Sequence, residues 1–251
     1  MEAKHRIVSP TEALPYLKAV LVEAHRQTGM FFPQTVTRDQ TTLVFDWSLK
    51  RSGDAQYHGR LNNTHYLSLL PNGKFEADVS IVIHELGHQW HAEQLGSQGL
   101  SGVNFDTVSP GKIKDQDAIK FLAEKRAESP GVSQRENHPL VASLVEGIAM
   151  VRQLHIADQR IDQLARMGDY ESSEALESVL QPFRVKGPMR GLDTPHTTGI
   201  VLVRDLVSVY GLEKFYTEKV AAINLFECSA LAPDSSEFQN ILWGRSIPGL
   251  P

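Results

Sequence analysis

The chain has 251 residues, 41% hydrophobic and 22% charged, a balance that suits one large core or two tightly joined subdomains. A formal net charge of −5, with no Lys/Arg block, argues against a phosphate-backbone footprint and so against nucleic acid as a partner. A single cysteine, Cys228, excludes an intrachain disulfide framework and a cysteine-based zinc site.

The first twenty residues carry scattered charges and no apolar run before a small-residue cleavage site. The longest aliphatic runs, such as Ile200-Val201-Leu202-Val203, fall far short of the roughly 18 residues a spanning helix needs. A cytoplasmic protein with no membrane association is the expectation. Asn62-Asn63-Thr64 matches the glycosylation sequon, which carries little weight without a secretory route.

In chain order, Ser9-Pro10-Thr11-Glu12 reads as a capping box with proline at the first helical position, predicting a helix to about Gln27. The stretches 41–47 (TTLVFDW) and 64–70 (THYLSLL) are β-branched and aromatic and read as strands, with Pro71-Asn72-Gly73 as the following turn. From about Ala77 to Leu95 the pattern is helical and is stopped by Gly96. Val79, Val82, Ile83, Leu86 and Trp90 form one apolar stripe beside another containing Ile81, His84, Glu85 and His88, so this helix is expected to be buried on most sides. Further helices are expected near 114–128, 139–157, 171–182, 197–209, 212–223 and 235–243. Gly-, Ser- or Pro-rich loops at 96–112, 129–138 and 186–195 separate them, and the first and last are long enough to act as lids. The predicted fold class is α+β: a small mixed or antiparallel N-terminal sheet packed on a central motif helix, then a mostly helical C-terminal part. Residues 1–251 are expected to form a single unit, divided into an N-terminal subdomain 1–96 and a helical subdomain 97–251.

The decisive stretch is His84-Glu85-Leu86-Gly87-His88. Histidines at i and i+4 project from one helix face and can bind one Zn²⁺ at about 2.0–2.1 Å each. Glu85 lies beside them, placed to reach a water rather than the ion. Zinc lowers the pKa of water towards about 7, and the carboxylate takes its proton as general base. The alternative is a buried histidine pair hydrogen-bonded to its neighbours, with Glu85 in a salt bridge. A catalytic zinc needs a third protein ligand, and no histidine follows at the metzincin spacing. His91 is expected to turn away from the pair. Glu146 is a lone acid in an apolar helical stretch, followed by Gly147. By period alone, Ser143, Glu146, Met150 and Gln153 also fit a solvent-facing stripe.

His84-Glu85-Leu86-Gly87-His88, followed 58 positions after His88 by Glu146-Gly147-Ile148-Ala149, resembles the gluzincin zinc peptidases, the thermolysin-like and aminopeptidase-like branch. The resemblance implies a zincin-like fold and one zinc per chain, held by His84, His88 and Glu146. It implies Glu85 as the general base of a hydrolase, a metallopeptidase acting on a peptide or protein substrate. It places an edge strand for substrate at Gly59-Arg60-Leu61 through Leu70. In Pro195-His196-Thr197-Thr198-Gly199 it implies His196 as hydrogen-bond donor to the oxyanion, with Tyr66, His58 and Tyr210 as lesser candidates. Two departures stand out: tyrosine is common where His196 stands, and Met150 replaces the acid that orients a zinc-binding histidine. Another carboxylate, with Asp106, Asp115 and Glu124 available, or a backbone carbonyl would have to hold the imidazole instead. The rival expectations are a non-catalytic zinc-binding regulatory or scaffolding protein, and a zinc hydrolase of a non-peptide amide or ester.

Overall fold

The computed structural model describes residues 10–51, 53–95, 104–105, 115–129, 134, 136–184, 195–233, 235–242 and 247–250. Asp106 and, apart from 104–105 and 195, the two lid candidates lie outside the described residues. The architecture is α+β, a small mixed sheet among many helices.

Helix α1 (Pro10–Phe31) buries Ala13, Leu17, Val20 and Ala24, which recur every three or four residues. It runs a turn further than Gln27. Pro33 drives Phe32 out of the helical region, to φ −149°, and that ends it. Strands β1 (Gln40–Phe45), β2 (Ala55–Leu61), β3 (Thr64–Leu69) and β4 (Asn104–Phe105) form one sheet in the order β1-β3-β2-β4. β1 runs parallel to β3, β3 antiparallel to β2, and β2 parallel to β4. The expected single edge strand from Gly59 to Leu70 is therefore corrected. Asn62 and Asn63, at φ 48° and 62°, fold it into a two-residue hairpin turn, and β3 is an interior strand. The strand beginning at Ala55 is not evident from the sequence pattern. Its alternation is broken by a bulge between Tyr57 and Gly59, where Gly59 adopts φ 122°.

Period-two alternation gives the sheet two faces. Leu43, Phe45, Tyr57, Leu67 and Leu69 join the main core with α1 and α2 (Phe75–Leu95), while Val44, Leu61 and Tyr66 pack under Ala118, Ile119 and Leu122 of α3 (Asp115–Ala127). At the start of α2, Asp78 accepts hydrogen bonds from Tyr16 Oη at 2.6 Å and from the Asn72 and Gly73 amides at 3.0 and 3.2 Å, fastening α1, the turn and α2 together.

Helix α4 (Pro139–Met167) runs ten residues beyond the expected end, until Gly168 takes the left-handed conformation at φ 80°. Its polar last turns continue the helix along the surface. By length and composition it is the one helix among the described residues that could cross a membrane, yet 78% of its most apolar window is buried inside the molecule. It packs against α2, α5 (Tyr170–Leu180) and α6 (Pro195–Tyr210). An irregular helical stretch follows: Leu212–Lys214 (α7), a π-helical Phe215–Lys219 and a 3-10 turn Val220–Ala222. Helices α8 (Leu225–Ala230) and α9 (Ser236–Leu242) are the last helices among the described residues. α8 lies outside the expected helices, although its capping residue is a legible signal: Asn224 accepts a hydrogen bond from the Glu227 amide at 3.2 Å.

Candidate metal centre

Helix α2 is buried on nearly every side, and His84, Glu85 and His88 are 7%, 8% and 8% exposed. The i, i+4 spacing brings His84 Nε2 to 3.0 Å from His88 Nε2. Across from them, α4 presents Glu146, whose Oε2 lies 3.2 Å from His84 Nε2 and 3.5 Å from His88 Nε2. Three donors placed tetrahedrally at about 2.0–2.1 Å from one ion stand about 3.3–3.4 Å apart. The observed triangle, 3.0–3.5 Å on a side, is close to that spacing. The reading of Ser143, Met150 and Gln153 as a solvent-facing stripe fails, since they are only 4%, 2% and 4% exposed.

Small residues make this convergence possible. A Cβ added at Gly87, inside the α2 motif, would stand 3.1 Å from the Ala149 backbone on α4. One added at Gly147 would collide with the carbonyl oxygen of Gly199 on α6. Gly87 and Ala149 thus let α2 approach α4, and Gly147 and Gly199 let α6 approach it. These close crossings bring the histidines, Glu146 and His196 within reach of one another.

Electrostatics agrees with the geometry. Burial opposes a charge on His88, but the Glu146 carboxylate, a hydrogen bond to it and nearby Glu85 outweigh burial and raise the pKa to about 9. Burial also pushes Glu146 up, but the His88 charge and hydrogen bonds from His196, His84 and His88 prevail and hold it well below the usual carboxylate range. A proton on His88 balances the cluster, and a divalent cation can take that proton's place. His91 stands apart from this group. It is fully buried with neither ring nitrogen partnered, and burial together with neighbouring His88 lowers its pKa to about 3.

Glu85 is held by the sheet: its Oε2 accepts the backbone N–H of Tyr57 at 2.7 Å. The three residues Ala55, Gln56 and Tyr57 form one wall of a cleft of about 320 Å³ that also exposes His84, Glu85, His88, Glu146 and His196. Val141, Ala142 and Val145 of α4 give it an apolar side, and the ion pair Arg126–Glu136 (3.5 Å) also lines it. His196, at the start of α6, points Nε2 at Glu146 Oε2 from 3.0 Å and stacks on His84 with ring centroids 5.7 Å apart; the Glu146 hydrogen bond raises its pKa. The lesser oxyanion candidates lie elsewhere. His58 bonds to Ser68 within the sheet, Tyr66 packs under α3, and Tyr210 ends α6 beneath Lys219.

Two supporting features differ from expectation. His84 Nδ1 is buried without a hydrogen-bond partner. Asp115 and Glu124 cannot serve it, because both are exposed on α3, where Glu124 faces Lys120. Met150, four residues after Glu146, sits in a second apolar cluster. Sequence reasoning also misses Arg152, which is 0% exposed and donates to Ile83 O at 2.5 Å, Thr35 Oγ1 at 2.7 Å, and both Thr28 Oγ1 and Thr35 O at 3.3 Å. It ties α4 to the carbonyl just before His84. Its only legible signal is a cation inside an apolar helical run. Tyr57 is missed as well, since a backbone amide leaves no mark on composition.

Comparisons with protein families, with curated protein sequences and with solved structures return no match for this chain.

Proposed function

We propose that the chain is a zinc-dependent metallopeptidase of the gluzincin type, with a zincin-like arrangement of sheet, motif helix and ligand helix. The observation that carries this reading is the triangle of His84 Nε2, His88 Nε2 and Glu146 Oε2, 3.0–3.5 Å on a side, with Glu85 beside it in the same cleft. His84, His88 and Glu146 would hold the ion, matching the two-histidine, one-glutamate set of catalytic zinc sites. When bound, zinc supplies Lewis acidity, polarising a carbonyl and bringing water towards a pKa of about 7.

The remaining chemistry belongs to side chains and backbone. Glu85 accepts a proton from the attacking water and returns it to the departing amine, and the Tyr57 amide fixes its orientation throughout. His196, a cleft residue with a raised pKa, donates a hydrogen bond to the oxyanion as it forms. Ala55–Tyr57 supports an extended substrate. β4 pairs only with Arg60 and Leu61, so among the described residues the outer edge of β2 at Ala55–Tyr57 has no strand beside it. A peptide laid along that edge gains main-chain hydrogen bonds with little dependence on its side chains.

The test is metal content by elemental analysis of wild type and Glu146→Ala, with cleavage of a peptide library by each. The reading expects zinc in the wild type, its marked loss in the variant, and peptide cleavage that follows the metal. A wild type that cannot take up zinc at these residues would overturn it.

A further inference from the structure

A second group of histidine and carboxylate side chains lies on the other side of Tyr57. Asp39 precedes β1, His65 is on β3, and Glu93 is in the last turns of α2. The parallel register, with Thr41 opposite His65, brings Asp39 alongside the imidazole. His65 Nε2 lies 3.3 Å from Asp39 Oδ2 and 3.8 Å from Glu93 Oε1, and all three donor atoms fall within 4.8 Å of one another.

We propose that Asp39, His65 and Glu93 form a second site for a small divalent cation of the zinc class, independent of the one at His84, His88 and Glu146. Three observations carry it. First, the contacts of His65 Nε2 are too long for tight charge-assisted hydrogen bonds and lie near the spacing of ligands, 3.3 Å to Asp39 and, slightly beyond that spacing, 3.8 Å to Glu93. Charge-assisted hydrogen bonds run to about 2.7–2.9 Å, whereas donors about 2.0–2.2 Å from a shared ion stand about 3.3–3.6 Å apart. Second, one imidazole N–H cannot serve two carboxylates. His65 Nδ1 is already engaged with Tyr57 Oη at 2.7 Å, which turns Nε2 towards both acids as an outer hydrogen bond turns a metal-binding histidine. Third, the carboxylates are held in place yet reachable. Glu93 accepts from the Arg38 amide and from Gln89 Nε2, each at 3.2 Å, and the side chains of Glu93 and Asp39 are 13% and 34% exposed, opening the site to solvent.

Arg60 Nη1, 3.3 Å from Asp39 Oδ2, offsets part of the negative charge and is the group an entering cation competes with. One imidazole and two carboxylates suit Zn²⁺, with Mn²⁺ or Fe²⁺ as weaker occupants. Tyr57 touches both this site and the cleft. The Tyr57 hydroxyl orients His65, while the Tyr57 amide holds Glu85.

The experiment is equilibrium dialysis of the metal-stripped chain against Zn²⁺, with elemental analysis, for wild type, Asp39→Asn, Glu93→Gln and Glu146→Gln. Two zinc ions per wild-type chain and one in each variant is the expected result. A zinc-induced rise in Tm should persist in Glu146→Gln and vanish in Asp39→Asn/Glu146→Gln. Asp39 is partly exposed and Glu93→Gln keeps shape, so both variants are expected to fold, as circular dichroism would show. One ion per wild-type chain, with binding unaltered by Asp39→Asn and Glu93→Gln, would overturn the proposal and leave an ion-pair network. Retention of all wild-type zinc by Glu146→Gln would instead count against the first centre alone.

Discussion

The molecule holds two clusters of histidine and carboxylate that are alike in size and unlike in construction. His84, His88 and Glu146 sit on two helices in close contact, with two donors on one helix a turn apart. Asp39, His65 and Glu93 come from a strand approach, an interior strand and a helix end, and depend on strand register for their meeting. The first cluster lines a cleft with a second carboxylate, Glu85, beside it. Among the described residues the second contains no further carboxylate held by a neighbouring backbone amide, and Arg60 already leans on it. The spacing is tighter in the first cluster, and among the described residues a further carboxylate held by a backbone amide accompanies that cluster and not the second.

The sharpest way to break this contrast is Glu85→Gln. The amide keeps its hydrogen bond to Tyr57 but loses its basicity. Hydrolysis should fall by about 10²–10⁴-fold while zinc content stays unchanged. Equal activity with metal retained would remove the functional difference between the clusters.

Gly147→Ala tests the helix-borne cluster mechanically. The new methyl meets the Gly199 carbonyl, so α4 and α6 must separate, at a cost near the upper end of about 1–3 kcal/mol. Urea denaturation should show that loss, with zinc binding weakened at the first centre and unchanged at the second.

A third test concerns histidines that belong to neither cluster. Burial lowers the pKa of His91 to about 3 and, with Arg126 adding to it, that of His58 to about 4. Both are neutral in the fold below the unfolded value of about 6.5. The unfolded chain then binds more protons, so stability falls as pH drops from about 6.5 towards those values. The loss is up to about 1.4 kcal/mol per pH unit for each group. Denaturation midpoints at pH 7 and pH 5.5 should differ accordingly, and His91→Leu should narrow the difference.

The smallest effect is expected for Tyr57→Phe. It removes the hydroxyl bound to His65 but keeps the amide bound to Glu85. About 0.5–1.5 kcal/mol of stability should go with it. Zinc affinity at Asp39, His65 and Glu93 should weaken, while metal at the first centre is retained. A loss of zinc from the first centre instead would mean that Tyr57 does not divide the two clusters in this way.

Much of the molecule is legible in the amino-acid sequence by itself. Helical and strand periodicity, the proline and glycine punctuation between elements, and the i, i+4 histidines are local features, written within a few residues of one another. They mark out most of the elements and name His84, Glu85 and His88 directly. Glu146 is recognisable only through its motif, because by period alone it fits a solvent-facing stripe whose other members are buried. The hairpin at Asn62-Asn63 is hidden, since strand-like residues run on both sides of the turn. Tertiary structure alone decides that Gly87 and Ala149, and Gly147 and Gly199, bring three helices to one point. It likewise decides that Tyr57 reaches Glu85 from 28 positions away, and that Asp39, His65 and Glu93 meet at all. These relations depend on helix crossings and strand register, which join residues far apart in the chain, and a pattern with a reach of one or two turns does not encode them.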